Sequence, residues 1–211
     1  MQISMVLYVI ICIVKLLFAE IDTNKEKCIR EITQMEKLTV NETEYEIEKL
    51  LGKGKGGYSY LAVKDGKKYV LKQIHHEPCS YYQFGNKIQS EIDDYKRLST
   101  IGIKMPEMLD VDIDNERIVK EYIDGETIYD LVLEDKMEPE YVSQMKAMCE
   151  LLYPTNTNID YFPTNFVVNN GEIYYIDYEC NDYMEEWNFE NWGVKYWSKT
   201  PEFLQYVVEH K

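Results

Sequence analysis

The chain has 211 residues, 45% of them hydrophobic and 29% charged, a globular balance rather than that of a disordered chain. That length makes one domain or two small lobes and is ample for a core. Lys and Arg number 23 against 38 Asp and Glu, a formal charge of −15, so nucleic acid and anionic membrane surfaces are excluded as partners attracted by the overall field.

The cysteines, Cys12, Cys28, Cys79, Cys149 and Cys180, are odd in number and scattered, with no C-x-x-C pair. This argues against a disulfide framework or a zinc site and fits a reducing compartment. Residues 3–19 are almost wholly apolar, interrupted by Ser4 and Lys15. They have the length of a marginal membrane span but lack the basic start of a secretory signal. Three readings stand side by side: an anchor with the rest of the chain in the cytoplasm, an amphipathic or buried helix, or an upstream extension ahead of a start at Met35.

Residues 37–49 are polar with a weak alternation and lead into a glycine-rich run in which Gly52, Gly54 and Gly57 fit G-x-G-x-x-G. A dinucleotide fold needs a helix after such a loop. Here residues 58–63 predict a strand, Asp65-Gly66 a hairpin turn and residues 68–74 a second strand. A glycine loop between antiparallel strands can lay its N–H groups over phosphates, because a Cβ would hold the backbone off them. Taken alone, the run is equally a flexible hairpin tip. Lys72 lies in the second of these strands with Leu71 and Ile74 around it, and a lysine midway along a half-buried strand needs an anionic partner.

Residues 73–86 form a polar connection whose His75 and His76 have no accompanying ligand cluster and read as loop residues. Residues 88–98 predict a helix, with Ile88, Ile92, Tyr95 and Leu98 at helical spacing. Glu91 on this helix is the first choice as partner of Lys72, and Asp94 the second. A solvated acidic face is the plainer reading of both. A loop and strand over 103–112, a turn at Asp114-Asn115 and a strand from Arg117 follow, the last ending in Glu121-Tyr122-Ile123-Asp124-Gly125. Helices are predicted over 126–134 and 139–152. Pro139 opens the second, where its missing N–H has no helical partner to lose. Its stripe of Val142, Met145, Met148, Cys149 and Leu152 reads as packing.

The most informative stretch is 158–179. Residues 166–168 and 173–176 are rich in β-branched and aromatic side chains, and Asn170-Gly171 between them is a strong type I′ hairpin signal. That turn sets Asn169 opposite Glu172, Val167 opposite Tyr174 and Asn165 opposite Ile176. Asn165 and Asp177 then reach one end of the hairpin, on the order of 5–8 Å apart. Ideal alternation points them to opposite faces, so the ends must bend for both to meet one ion. Asp160 lies just upstream in a loop stiffened by Pro163. Oxygen donors at one hairpin mouth suit a hard cation such as Mg²⁺. Beyond Glu179, Trp187, Trp192 and Trp197 read as a small aromatic cap.

Glycine loop, strand lysine, helix glutamate, Glu-Tyr-Ile-Asp-Gly and the Asp160, Asn165, Asp177 spacing occur in an order that resembles the protein-kinase-like superfamily. Asp177-Tyr178-Glu179 looks more like the aminoglycoside phosphotransferase and choline kinase branch. The resemblance covers about residues 50–179. It implies an α+β, bilobal protein-kinase-like fold: a β-rich N-lobe with one helix, and a shortened, mainly helical C-lobe. The segments would be a hydrophobic N-terminal stretch over 1–34, an N-lobe and hinge over 35–123, and a C-lobe over 124–211. Carried over, Gly52, Gly54 and Gly57 cover ATP phosphates, Lys72 holds them and pairs with Glu91, and Glu121 and Ile123 meet the adenine edge through backbone groups. Asp160 takes or orients the proton of the attacking hydroxyl, and Asn165 and Asp177 bind Mg²⁺.

Two departures stand out. Asn158 replaces the usual histidine two residues before the catalytic aspartate, and Lys120 falls where the family usually places an apolar residue. The activity implied is transfer of the ATP γ-phosphate to a hydroxyl, as in a Ser/Thr protein kinase. The alternatives are a small-molecule kinase of the aminoglycoside or choline type, or a nucleotide-binding pseudokinase that serves as an interaction module. The partners would be ATP and a protein or small-molecule acceptor, with no nucleic acid. Membrane contact, if made, would run through residues 3–19, and the site would face the cytoplasm.

Overall fold

The computed structural model describes residues 37–77 and 85–210. The first half is a six-stranded sheet with one helix. Its strands are β1 (Lys37–Val40), β2 (Thr43–Lys53), β3 (Gly57–Lys64), β4 (Lys67–Ile74), β5 (Met108–Asp112) and β6 (Arg117–Glu121), in the antiparallel order β1-β2-β3-β4-β6-β5. The sheet curls until its ends meet. The N–H of Asn41, in the β1–β2 turn, donates to Asp112 at 2.8 Å, and the Asn41 amide donates to Asp110 at 2.8 Å. Sequence patterning left β1 and β2 without a strand assignment. The reason lies in their burial: of the residues in β2 only Tyr45 and Ile47 are buried, and the strand is irregular at Ile47/Lys49 and Leu50/Gly52. With so few buried positions, the period of two is faint.

Helix α1 (Lys87–Ile101) lies between β4 and β5 in the chain. Asn86 caps its start by accepting from the N–H of Gln89, and Gly102 ends it at φ 89°. The two ends of α1 serve different cores. Ile88 packs with Ile74 and Ile118 of the sheet, whereas Leu98 belongs to a larger cluster built from the second half. The opposite face of the sheet closes around Val40, Tyr45, Ile47, Ala62, Leu71 and Val119.

The second half corrects the expectation of a mainly helical lobe. Its helices are α2 (Ile128–Leu133), α3 (Pro139–Leu152) and α4 (Pro201–Glu209), and five short strands lie among them. Strands β7 (Glu126–Thr127), β9 (Phe166–Asn169) and β10 (Glu172–Tyr175) form one antiparallel sheet, and β8 (Thr157–Ile159) pairs with β11 (Cys180–Asp182). The architecture is therefore α+β throughout. The helix expected from Glu126 starts two residues late for a steric reason. A Cβ on Gly125 would lie 1.9 Å from the carbonyl oxygen of Val168, so the chain passes this point flat against β9, pairs with it, and turns helical after Thr127. The region after Glu179 holds two 3₁₀ turns and one nine-residue helix, and its Asn- and aromatic-rich sequence carries no sustained helical period. Of its tryptophans, Trp197 joins the core and Trp187 is exposed.

Among the described residues no helix is long and apolar enough to cross a membrane. The apolar run over 3–19 lies outside them.

Candidate functional site

The site is built where the hairpin β9–β10 meets the sheet and α1. The hairpin has the expected register, Glu172 opposite Asn169 and Tyr174 opposite Val167, with Asn170 at φ 50° and Gly171 at φ 79° in the turn. The N–H of Ile176 donates to the carbonyl of Asn165 at 2.9 Å, one step past the regular ladder. There the strands end. Residues 163–165 form a single 3₁₀ turn, and the chain bends at Asp177, whose carboxylate accepts from the N–H of Tyr178 at 2.8 Å. These bends free the ends from strict alternation.

Lys72 projects from β4 toward α1 and forms an ion pair with Glu91, both side chains being largely buried. Its ammonium also stands 3.7 Å from Asp177. Burial pulls the Lys72 ammonium down, but Asp177 and Glu91 outweigh it and hold it above its ordinary value. Asp177 is the mirror case: burial works against its ionised form, yet Lys72, Lys120 and the N–H groups of Tyr178 and Glu179 keep it below the usual carboxylate range. Asp94, the second choice for this pairing, instead accepts from the N–H and thiol of Cys180. The other oxygen of Glu91, Oε2, is buried without a hydrogen-bond partner among the described residues.

Asp160 follows β8 and accepts from the N–H of Phe162 at 3.1 Å. Burial raises its carboxyl, the Phe162 N–H opposes this, and the charges of Glu179 and Asp177 add to the rise. A carboxylate so raised is a stronger proton acceptor than an ordinary aspartate. Asn165 donates from Nδ2 to the carbonyl of Asp160 at 3.3 Å, which turns its acceptor oxygen away from that contact. Asn158 is buried and joins Tyr161 to the carbonyl of Met184, so it supports the loop from within.

The glycine run connects β2 to β3 directly above Lys72. A Cβ on Gly56 would lie 3.9 Å from the Lys72 ammonium, while a Cβ on Gly52 or Gly54 would meet nothing within 4 Å. Gly57 has a different reason to be glycine: a Cβ there would lie 2.6 Å from the carbonyl oxygen of Gln73, so packing against β4 fixes it. At the other side, the N–H of Glu121 donates to Glu107 at 2.9 Å and its carboxylate accepts from the Glu107 N–H. Glu121 is thus engaged with Glu107 through both N–H and side chain. Ile123, past the end of β6, has no backbone hydrogen bond among the described residues.

Sequence reasoning missed three contributors. Lys120 stood out only as a departure from the family pattern. It is buried, donates to the carbonyl of Ile176 at 3.1 Å and lies over the Tyr178 ring. Tyr175, wholly buried, donates to the carbonyl of Glu179 at 2.7 Å and accepts from the N–H of Asp160, tying the two loops together. Lys55 reaches from the glycine run to Glu179. The latter two sit at positions that periodicity reads as strand interior and loop tip, so no sequence signal marks them.

Among the described residues no group of three or more His, Cys, Asp or Glu side chains gathers as a resident metal site would. The two ligands expected from the sequence, Asp177 and Asn165, offer one carboxylate and one amide oxygen, the latter left free of the bond that Nδ2 makes to Asp160. That sparse oxygen set fits Mg²⁺ arriving with a phosphate ligand, since Mg²⁺ takes one or two protein oxygens and completes its shell with phosphate and water. A scan against models of known protein families finds no match for this chain, and a search of curated proteins finds none either.

Proposed function

We propose that the protein is an ATP-dependent phosphotransferase that moves the γ-phosphate of ATP to a hydroxyl of a Ser/Thr side chain or a small molecule, on a compact bilobal protein-kinase-like fold. The observation that carries this reading is the convergence of Lys72 on both Glu91 and Asp177 beneath a glycine run, with Asp160 and Asn165 on the adjoining loop. Five segments spread along the chain supply these groups. A lysine fixed between two carboxylates gives phosphates a charged donor whose position is already set.

In this reading Lys72 donates to phosphate oxygens, and Glu91 keeps its ammonium from collapsing onto Asp177. Asp177 and the Asn165 oxygen would hold Mg²⁺, which supplies charge neutralisation on the phosphates. Asp160 orients the acceptor hydroxyl and receives its proton, helped by its raised carboxyl. The backbone of Ile123, which has no hydrogen bond among the described residues, would supply a donor and an acceptor for the edge of a base.

The test is phosphate transfer from γ-labelled ATP with Mg²⁺ by the full chain. It is run alone and then with proteins and metabolites of its own cell, beside Asp177→Ala. Label on an acceptor that disappears in the variant supports the enzyme. Tight ATP binding with no label under any condition would turn the reading to a nucleotide-binding interaction module, and loss of both would remove it.

A further inference from the structure

We propose that Lys55 is a further catalytic residue of this transfer, contacting the γ-phosphoryl group directly, and that its ion pair with Glu179 is the resting position of the side chain. The inference rests on the phosphotransferase reading. It starts from the backbone. Glycines flank Lys55 on both sides, yet the loop tip is pinned at several points. The Gly54 N–H donates to the Gly57 carbonyl at 3.0 Å, the His75 ring bonds the Gly54 carbonyl at 3.0 Å, and the Lys87 ammonium donates to the Lys55 carbonyl at 3.3 Å. A long side chain on a held backbone sweeps a limited volume.

That volume lies over the reacting centre. The tip stands above Lys72 at Gly56, and the Lys55 ammonium lies 3.1 Å from Glu179, two residues past Asp177. Its charge is also felt at Asp160, where it favours the ionised carboxylate. Lys55 thus bonds Glu179 and acts on Asp160, and these carboxylates, with Asp177 two residues before Glu179, would repel an incoming phosphoryl group unless cations face it.

The step balances as follows. The acceptor oxygen bonds to the γ-phosphorus, the bond from that phosphorus to the β,γ-bridging oxygen breaks, and its electron pair leaves on ADP. The hydroxyl proton passes to Asp160. Lys55 exchanges the Glu179 carboxylate for a non-bridging γ-oxygen, so its donor count is unchanged while its partner becomes the group in flight. A charged donor aimed at such an oxygen stabilises the transition state more than bound nucleotide.

The experiment compares full-length wild type, Lys55→Met and Lys55→Arg in equilibrium binding of ADP, ATP and ADP with aluminium fluoride, all with Mg²⁺. The Lys55–Glu179 pair is exposed, and such pairs contribute little to stability, so thermal unfolding of the variants should match wild type. Lys55→Met is expected to hold ADP within about threefold of wild type and to bind the fluoride complex about a hundredfold more weakly. Lys55→Arg should recover most of the loss. An equal loss for ADP and the fluoride complex would assign Lys55 to loop packing and overturn the proposal, as would unchanged binding of the complex. A wild type that binds neither ADP nor ATP at millimolar concentration fails at an earlier point: the nucleotide reading itself falls.

Discussion

Lys120 places its ammonium 4.1 Å from the centre of the Tyr178 ring and donates to the Ile176 carbonyl, so it holds the residues on both sides of Asp177. Lys72, one strand away on the same face of the sheet, faces the Asp177 carboxylate itself. The two lysines divide the work: one fixes the backbone of the loop, the other its charge. Burial, followed by the repulsion of Lys72, lowers the Lys120 ammonium.

Replacing Lys120 by methionine should therefore change stability by less than about 1 kcal/mol. The lost hydrogen bond and the relief of a buried charge act in opposite directions. Asp177 loses one of its two cations, and its carboxyl should rise. Urea unfolding checks the first outcome. A carboxyl-resolved NMR titration checks the second, and no movement at Asp177 would refute the assignment.

Lys72→Ala removes one partner of a largely buried pair whose side chains are 13% and 11% exposed. It leaves the Glu91 carboxyl buried without its cation, with Oε2 already lacking a partner among the described residues. The expected cost is about 3 kcal/mol by chemical unfolding. The double variant Lys72→Met with Glu91→Leu should recover most of that loss. A double variant as unstable as the single one would point to packing rather than charge.

Asp160→Asn should stabilise the fold at neutral pH. The folded carboxyl is raised, so above that value the ionised form is disfavoured in the fold relative to the unfolded chain. The penalty vanishes once pH falls below the ordinary aspartate value of about 4, where both states are protonated. The gain in thermal midpoint should be present at pH 7 and fade toward pH 4, while any transferase activity is abolished. Asp177 has the opposite sign: its contribution is full above the ordinary value and is lost as pH falls through the lowered one.

Gly57→Ala and Gly54→Ala should separate two uses of glycine in one loop. The first drives a Cβ to 2.6 Å from the Gln73 carbonyl and should cost about 2 kcal/mol, while the second meets open space. Gly54→Ala should leave the unfolding midpoint near wild type and weaken ATP. Equal destabilisation of the two would contradict the packing described here.

The legibility of this chain followed burial and locality. The hairpin at Asn170-Gly171 was readable because its turn chemistry and its alternation agree within a dozen residues. The pairing of Lys72 with Glu91 was inferable because a lysine inside an apolar strand demands an anion and the next helix offers one. Strands β1 and β2 were not readable, since so few of their side chains are buried. Nor were β8 and β11. They pair Ile159 with Cys180 across the whole hairpin, and no local pattern encodes a partner so far away. Lys55 and Tyr175 escaped notice for the same reason: their partners, Glu179 and Asp160, are distant or defined only by tertiary folding.

The indole N–H of Trp197 donates to the carbonyl of Tyr161 at 2.8 Å, and its ring packs between Phe166 and Phe189. Tyr161 is the neighbour of Asp160. During synthesis the loop bearing Asp160 must therefore leave the ribosome well before the residue that anchors it. A nascent chain can close its sheet and seat Lys72 early, but it holds an incomplete centre until residue 197 has emerged and folded back. The loop bearing Asp160 is in this sense among the later parts of the fold to gain its support, and a chain cut short before Trp197 would keep the six-stranded sheet while losing the bond that holds Tyr161.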